Sequence, residues 1–273
     1  MATNDGNYNK FQGSGAASAP NAQINPNPYG NPYVNPDPTF NQNKNNFDVE
    51  GGLHMYDVAH NLRLGFIRKV YGILSIQLTL TVLMALLTFT DSFRAFCLTN
   101  IWLFYLCLIL SICIIIPLIC CKSNARSYPT NYILCGIWTF CEAYMVSVCC
   151  AMYDPLTVIS AASLTAAVTV ALTIYAYKTE TDFTYMGGLL YVGICLLFGF
   201  GFLLLFVPGL KVLYCIIGVF LYSLYLIYDT QLVMGKFGTE FEVDDYIIAA
   251  IMIYIDIIQI FLYLLQLLGD RNN

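Results

Sequence analysis

With 273 residues, 58% of them hydrophobic and only 11% charged, the chain cannot hide its apolar surface in one soluble core, because soluble domains carry about 25% charged residues. Lipid must be its solvent. A net charge of −5 leaves no basic footprint and argues against nucleic acid as a partner.

Residues 1 to about 62 are dominated by Asn, Pro, Gly and Tyr and hold six of the ten prolines. They include the quasi-repeat Asn27-Pro28-Tyr29-Gly30-Asn31-Pro32-Tyr33. Such a composition buries too little apolar area to offset the entropy of ordering. The expectation is a disordered cytosolic tail over 1–62 and a membrane domain over 63–273. The first apolar run begins near Val70, too late for a cleavable signal.

Seven apolar stretches follow: Val70–Phe89, Trp102–Cys121, Tyr132–Met152, Leu156–Tyr177, Tyr185–Val207, Val212–Met234 and Tyr246–Leu268. Each is long enough to cross a hydrocarbon core of about 30 Å as a helix. The fold class expected is all-α, a bundle of seven transmembrane helices. Pro117 should kink the second span. Small residues on the fourth (Ala162, Ser163, Ala166, Ala167, Ala171) predict close helix approach. The glycine-rich fifth (Gly187, Gly188, Gly193, Gly199, Gly201) predicts tight packing or local flexibility. Eleven cysteines without a C-x-x-C pair signal neither a zinc site nor a disulfide framework. Cys120 and Cys121, at a membrane edge, are palmitoylation candidates.

The positive-inside rule sets orientation. With the N-terminus cytosolic, nine cations fall inside (Lys10, Lys44, Arg63, Arg68, Lys69, Lys122, Arg126, Lys178, Lys236) and three outside (Arg94, Lys211, Arg271). Seven crossings then put the C-terminus outside. If the last stretch only re-enters the membrane, the C-terminus returns to the cytosol.

Three acids interrupt the apolar runs without a Lys or Arg beside them: Glu142, Asp229 and Asp256. An acid near the bilayer centre costs about 2.5–3.5 kcal/mol on insertion scales, so it usually faces a bundle interior or a wet cavity and marks function. All three fall between the cytosolic side and the midplane. The short linker Gly235–Asp245 keeps spans six and seven adjacent, so Asp229 and Asp256 can face each other. Two carboxylates in a dry site cannot both ionise cheaply and hold a proton between them. Deprotonated, they offer oxygen donors to a hard cation, above all Ca²⁺, as transient ligands. Protonated, they can close on one another. The competing reading is a protonated Asp that merely bonds a neighbouring helix. Glu142 is an additional candidate polar group of the pathway. Asp244 and Asp245 form either a cytosolic vestibule or a simple helix N-terminal charge pattern.

The blocks Tyr228-Asp229-Thr230-Gln231-Leu232, Asp245-Tyr246-Ile247 and Tyr254-Ile255-Asp256-Ile257-Ile258 closely resemble the Bax inhibitor motif family, Lifeguard branch. Phe66-Ile67-Arg68-Lys69-Val70-Tyr71, Thr139-Phe140-Cys141-Glu142, Leu172-Thr173-Ile174-Tyr175 and Thr181-Asp182-Phe183-Thr184 agree with it. The resemblance covers about residues 58 to 269. It implies seven helices with the last surrounded by the others, a pH-sensitive Ca²⁺ leak from internal stores such as endoplasmic reticulum or Golgi, and suppression of apoptosis. The plasma membrane would suit these spans equally. The family's paired aspartates, the proposed pH sensor, map to Asp229 and Asp256. Gln259 stands where Asn is common, and Lys236 where a second Gly is common. The implied partners are membrane lipid, Ca²⁺ as permeant ion, protons and cell-death regulator proteins, with no cofactor.

Other readings compete. Intramembrane aspartyl proteases also pair two aspartates on adjacent helices, but the Gly-x-Gly-Asp and Pro-Ala-Leu signatures are absent, so no enzyme is expected. N-in orientation argues against a seven-helix receptor. A proton-coupled Ca²⁺ exchanger would use the same carboxylates, and a scaffold acting on cell death through partner binding would use the tail.

Overall fold

The computed structural model describes residues 38–120, 126–238 and 241–269. The chain divides into two units, Met1–Met55 and Tyr56–Asn273. Helix α1 runs Pro38–Leu87, so helical backbone starts well ahead of the boundary that composition places near residue 62. Pro38 suits the first helical position, where its missing N–H has no partner to lose. No further proline occurs until Pro117. Tyr29, Tyr33, Cys121 and Lys122 lie outside the described residues.

A short helix α2 (Asp91–Thr99), not foreseen from the sequence, leads into α3 (Ile101–Cys120). Then come α4 (Thr130–Cys150), α5 (Pro155–Lys178), α6 (Gly187–Leu203), α7 (Lys211–Met234) and α8 (Tyr246–Leu268). Seven helical segments are long and apolar enough to cross a membrane. The fifth is shorter than the sequence suggests. Its α-helix ends at Leu203, and a 3-10 turn over Pro208–Leu210 leads into α7. The seventh is one unbroken helix of 23 residues, about 34 Å at 1.5 Å per residue. That length is enough to cross a membrane.

Burial identifies the centre of the bundle. In α8, 72% of the most apolar window is buried, against 56% in α4 and 11–22% in the other five segments. Ile247, Ile251, Tyr254, Ile260 and Leu265 of α8 are almost fully enclosed, among Phe66 and Val70 of α1, Trp138 of α4 and Leu226 of α7. The last helix is thus surrounded by the others, and this resolves the lipid incompatibility of Asp256. Lipid tails are as apolar as leucine, so close packing and interhelical hydrogen bonds must hold such a bundle together. The α1–α4–α8 seam shows both. Gln77 donates to the Thr139 hydroxyl at 3.0 Å, Thr81 and Tyr254 share a hydroxyl contact at 2.8 Å, and Trp138 meets the Tyr254 ring edge-on at 5.5 Å.

The two small-residue patterns behave differently. Ala162, Ala166 and Ala171 are exposed, and the first two line a groove of about 350 Å³ between α1 and α5. The side of α5 that packs inward is instead the one carrying Val158, Ala161, Thr165 and Ala176, which are buried. The α6 glycines do serve contact. A Cβ at Gly187 would stand 2.8 Å from the Tyr228 hydroxyl, and one at Gly193 would stand 2.7 Å from Leu221.

Candidate functional site

Asp229 lies five residues before the end of α7, and Asp256 near the middle of α8. Both are buried, at 2% and 3% exposure. Their carboxyl groups lie within interaction range of each other. Carboxylate oxygens only accept, so a bond between two carboxyl groups requires a proton on one of them. One oxygen on each, Oδ1 of Asp229 and Oδ2 of Asp256, has no hydrogen-bond partner. The site therefore sets two buried carboxyls together with two uncommitted acceptors. Two carboxyls supply at most four oxygens, whereas Ca²⁺ takes six to eight. Among the described residues no group of three or more His, Cys, Asp or Glu side chains is placed to hold a metal ion. The pair alone suits passing contact with a cation better than storage.

The sequence brings Glu142 no closer to this pair. Glu142 accepts a 2.5 Å bond from Ser111 of α3 and is only partly buried. Trp138, four residues before it on α4, packs on Tyr254, two residues from Asp256 on α8. Two residues of helix turn the side chain by about 200°, so Glu142 and the aspartate pair flank opposite faces of α8.

Asp244 and Asp245 also part company. Asp244 is exposed. Asp245 is buried and takes a two-pronged bond from Arg126, Nε to Oδ1 at 2.8 Å and Nη2 to Oδ2 at 3.0 Å. Glu242 holds the third guanidinium nitrogen at 2.9 Å. Asp245 and then Glu242 stabilise the charged guanidinium and raise its pKa above the ordinary arginine value. Asp245 makes no side-chain cap on α8; it anchors the loop before α4 to the start of α8. Its charge is matched at short range by Arg126.

Several functional-looking groups escape a sequence reading because their partners are backbone atoms on distant helices. Arg63 donates to the Leu232 carbonyl at 2.5 Å and to the Phe241 carbonyl at 3.3 Å. It thereby covers the negative end of the α7 dipole. Gly235 turns the chain there at φ +65°. Gln231, fully buried beside Asp229, accepts from the Phe183 amide at 2.9 Å and donates to the Thr181 carbonyl at 2.9 Å. It pins the α5–α6 loop to α7. Lys236 donates to the Thr179 carbonyl and, at 3.4 Å, to that of Tyr177, so the departure from glycine at this position closes α5. With Arg126 and with Lys69 over the Tyr246 ring at 5.0 Å, these cations form a collar at the end of the bundle where α7 stops and α8 starts. A signal for Gln231 was available: it is an amide inside an apolar run, two residues from an acid.

Comparison with known proteins agrees with this architecture. Residues 63–273 match the family described as Bax1-I, Inhibitor of apoptosis-promoting Bax1. The chain is 38% identical over 218 residues to human "Protein lifeguard 3", covering 77% of this chain and 70% of that protein. The mouse "Protein lifeguard 3" is 34% identical over 77% of this chain and 71% of its own length. Mouse "Protein lifeguard 4" is 32% identical over 240 residues, 87% of this chain and 98% of its own length. A seven-helix bundle with a buried last helix, matched along the whole of its membrane domain, belongs to the Bax inhibitor family of anti-apoptotic membrane proteins, in its Lifeguard branch.

Proposed function

We propose that the chain is a proton-regulated Ca²⁺ leak pathway of an internal membrane, endoplasmic reticulum or Golgi, with its N-terminus in the cytosol, and that it restrains apoptosis by limiting stored Ca²⁺. The observation that carries this reading is the neighbouring pair Asp229–Asp256, buried on α7 and the central α8 with one unpartnered oxygen on each. While a proton joins the two carboxyls, they tie α7 to α8. When the proton leaves, two negative groups face one another in a dry interior, which disfavours their contact and frees oxygen donors for a hard cation. One site thereby couples closure to proton occupancy. Glu142, across α8 and bonded to Ser111, takes no part in this switch.

The cation asymmetry supports the orientation. Arg63, Arg68, Lys69, Arg126, Lys178 and Lys236 gather at the collar end, whereas Arg94 and Lys211 lie at the other, and positive charge favours the cytosolic side. The test is Ca²⁺ efflux from reconstituted vesicles across a pH series. Asp229→Asn and Asp256→Asn should each alter the pH response. A pH profile identical to the parent in both variants would defeat the switch. An exchanger would instead require efflux to follow an imposed proton gradient, and a scaffold would show no efflux in purified vesicles.

A further inference from the structure

The groove between α1 and α5 is as deep as one leaflet. It follows α1 from Phe89 back to Leu78 and α5 from Val158 on to Val170, about 16–18 Å at the helical rise. Half of a hydrocarbon core of about 30 Å is about 15 Å. Phe89 lies just past the end of α1, and Val158 lies in the first turn of α5, so the groove starts at the end of the bundle opposite the collar. It stops near mid-depth, where Ile257 and Ile258 of the central helix line it.

Its lining is hydrocarbon. Two of its hydroxyls are spent inside the bundle. Thr81 donates to the Gln77 carbonyl at 2.9 Å and shares the 2.8 Å contact with Tyr254, and Thr165 donates to the Ala161 carbonyl at 2.7 Å. The Thr169 hydroxyl has no partner, but it sits toward the inner end, out of reach of any headgroup oxygen. Among the described residues no charged side chain lines the space, and apolar cavities stay dry. Size separates the remaining occupants. A helix about 10 Å across and as long as the groove fills roughly 1,200 Å³, against about 350 Å³ here. A single hydrocarbon chain of that length, about 4–5 Å across at van der Waals contact, fills roughly 200–300 Å³. A partner helix would also need interhelical hydrogen bonds to displace lipid, because lipid tails are as apolar as leucine, and the hydroxyls of Thr81 and Thr165 are already committed.

The outer end differs in character. Asp91 follows Phe89 by two residues, and Asp154 precedes Val158 by four. Arg94 of α2 belongs to the same end and donates through Nε to the Ala151 carbonyl at 2.9 Å. Groups of both signs thus stand at headgroup level. We infer that the groove holds one acyl chain of a zwitterionic phospholipid drawn from the leaflet opposite the collar. The chain runs inward between α1 and α5 and ends against Ile257 and Ile258, the two residues that follow Asp256. Lipid thereby completes the covering of the central helix.

The test uses the full chain in detergent micelles supplied with dioleoyl phosphatidylcholine, and native mass spectrometry counts the lipids that stay bound. The parent should retain one phospholipid per chain after loosely held lipid is washed away. Ala166→Trp on the α5 wall and Val82→Trp on the α1 wall each put an indole into the groove. Loss of the chain's dispersion contacts should lower retention about tenfold or more in both. Ala167→Trp adds the same bulk to the exposed face of α5 outside the groove and should retain lipid as the parent does. If one filling variant does not fold, the other decides. Retention in a folded filling variant equal to that of Ala167→Trp, or a parent that retains no phospholipid, would overturn the site. A sterol kept in preference to phosphatidylcholine when both are supplied, or a dimer of the parent that parts in the filling variants, would overturn the choice of occupant. Neither Ca²⁺ flux nor a pH response is read, so failure of the proton switch leaves this result standing.

Discussion

Gly235 and Arg63 should be energetically coupled, and the size of the coupling follows from the turn between α7 and α8. Gly235 adopts φ +65°, a left-handed conformation that costs a residue with a Cβ about 1–2 kcal/mol. An added Cβ would also stand 2.7–2.8 Å from three guanidinium atoms of Arg63, displacing the group from the Leu232 carbonyl. A bond from a charged donor is worth about 1.5–3 kcal/mol, and Arg63 is only partly buried, so the lower figure applies. Gly235→Ala should therefore cost about 2.5–3.5 kcal/mol, and Arg63→Ala about 1.5. In the double variant the bond is lost only once, so its cost should fall short of the sum by about 1.5 kcal/mol. Unfolding in mixed micelles, followed by the fluorescence of buried Trp138, measures all three. Strict additivity would mean that Arg63 does not cover the end of α7 as described.

Two further stability effects are expected. Gln231→Ala leaves the Phe183 amide and Thr181 carbonyl without their side-chain partner and should cost about 1–3 kcal/mol in the same unfolding assay, with protease access at the α5–α6 loop rising in parallel. Gln231→Glu, which keeps one acceptor, should lose less of the Phe183 contact than Gln231→Ala. Ser111→Ala removes the donor to Glu142 and should destabilise the α3–α4 seam by about 1–3 kcal/mol. Glu142→Gln, which still accepts from Ser111, should cost less than that and leave the pH profile of Ca²⁺ efflux unchanged. A changed profile would bring Glu142 into the switch.

The bundle is legible in the sequence because lipid imposes one rule, an unbroken helix about 20 residues long; the predicted and observed bounds of the last span coincide at Tyr246–Leu268. The aspartate pair is legible for the same reason: an acid in such a run must face inward, and a short linker makes its helix the neighbour of the next. Glu142 obeys the same rule yet lands on the other side of α8, because depth in the membrane is readable from residue count whereas the facing of a helix is fixed by contacts. Tyr254, bonded to Thr81 and packed on Trp138, sets that facing. The collar is illegible for a different reason. Arg63 and Lys236 bond carbonyl oxygens, which every residue carries, so no residue type marks the partner. Asp245 gave no hint at the start of α8 of its partner Arg126, which lies 119 positions away.

The claim on which the account turns is that Asp229 and Asp256 act as one unit holding a single proton. Ca²⁺ efflux from reconstituted vesicles, measured across a pH series for both single Asn variants and for the double variant Asp229→Asn/Asp256→Asn, tests it most directly. A shared proton predicts that either single substitution abolishes the parental pH response and that the second adds nothing to the first. Two partial changes that sum in the double variant would show two independent carboxyl groups and contradict the switch.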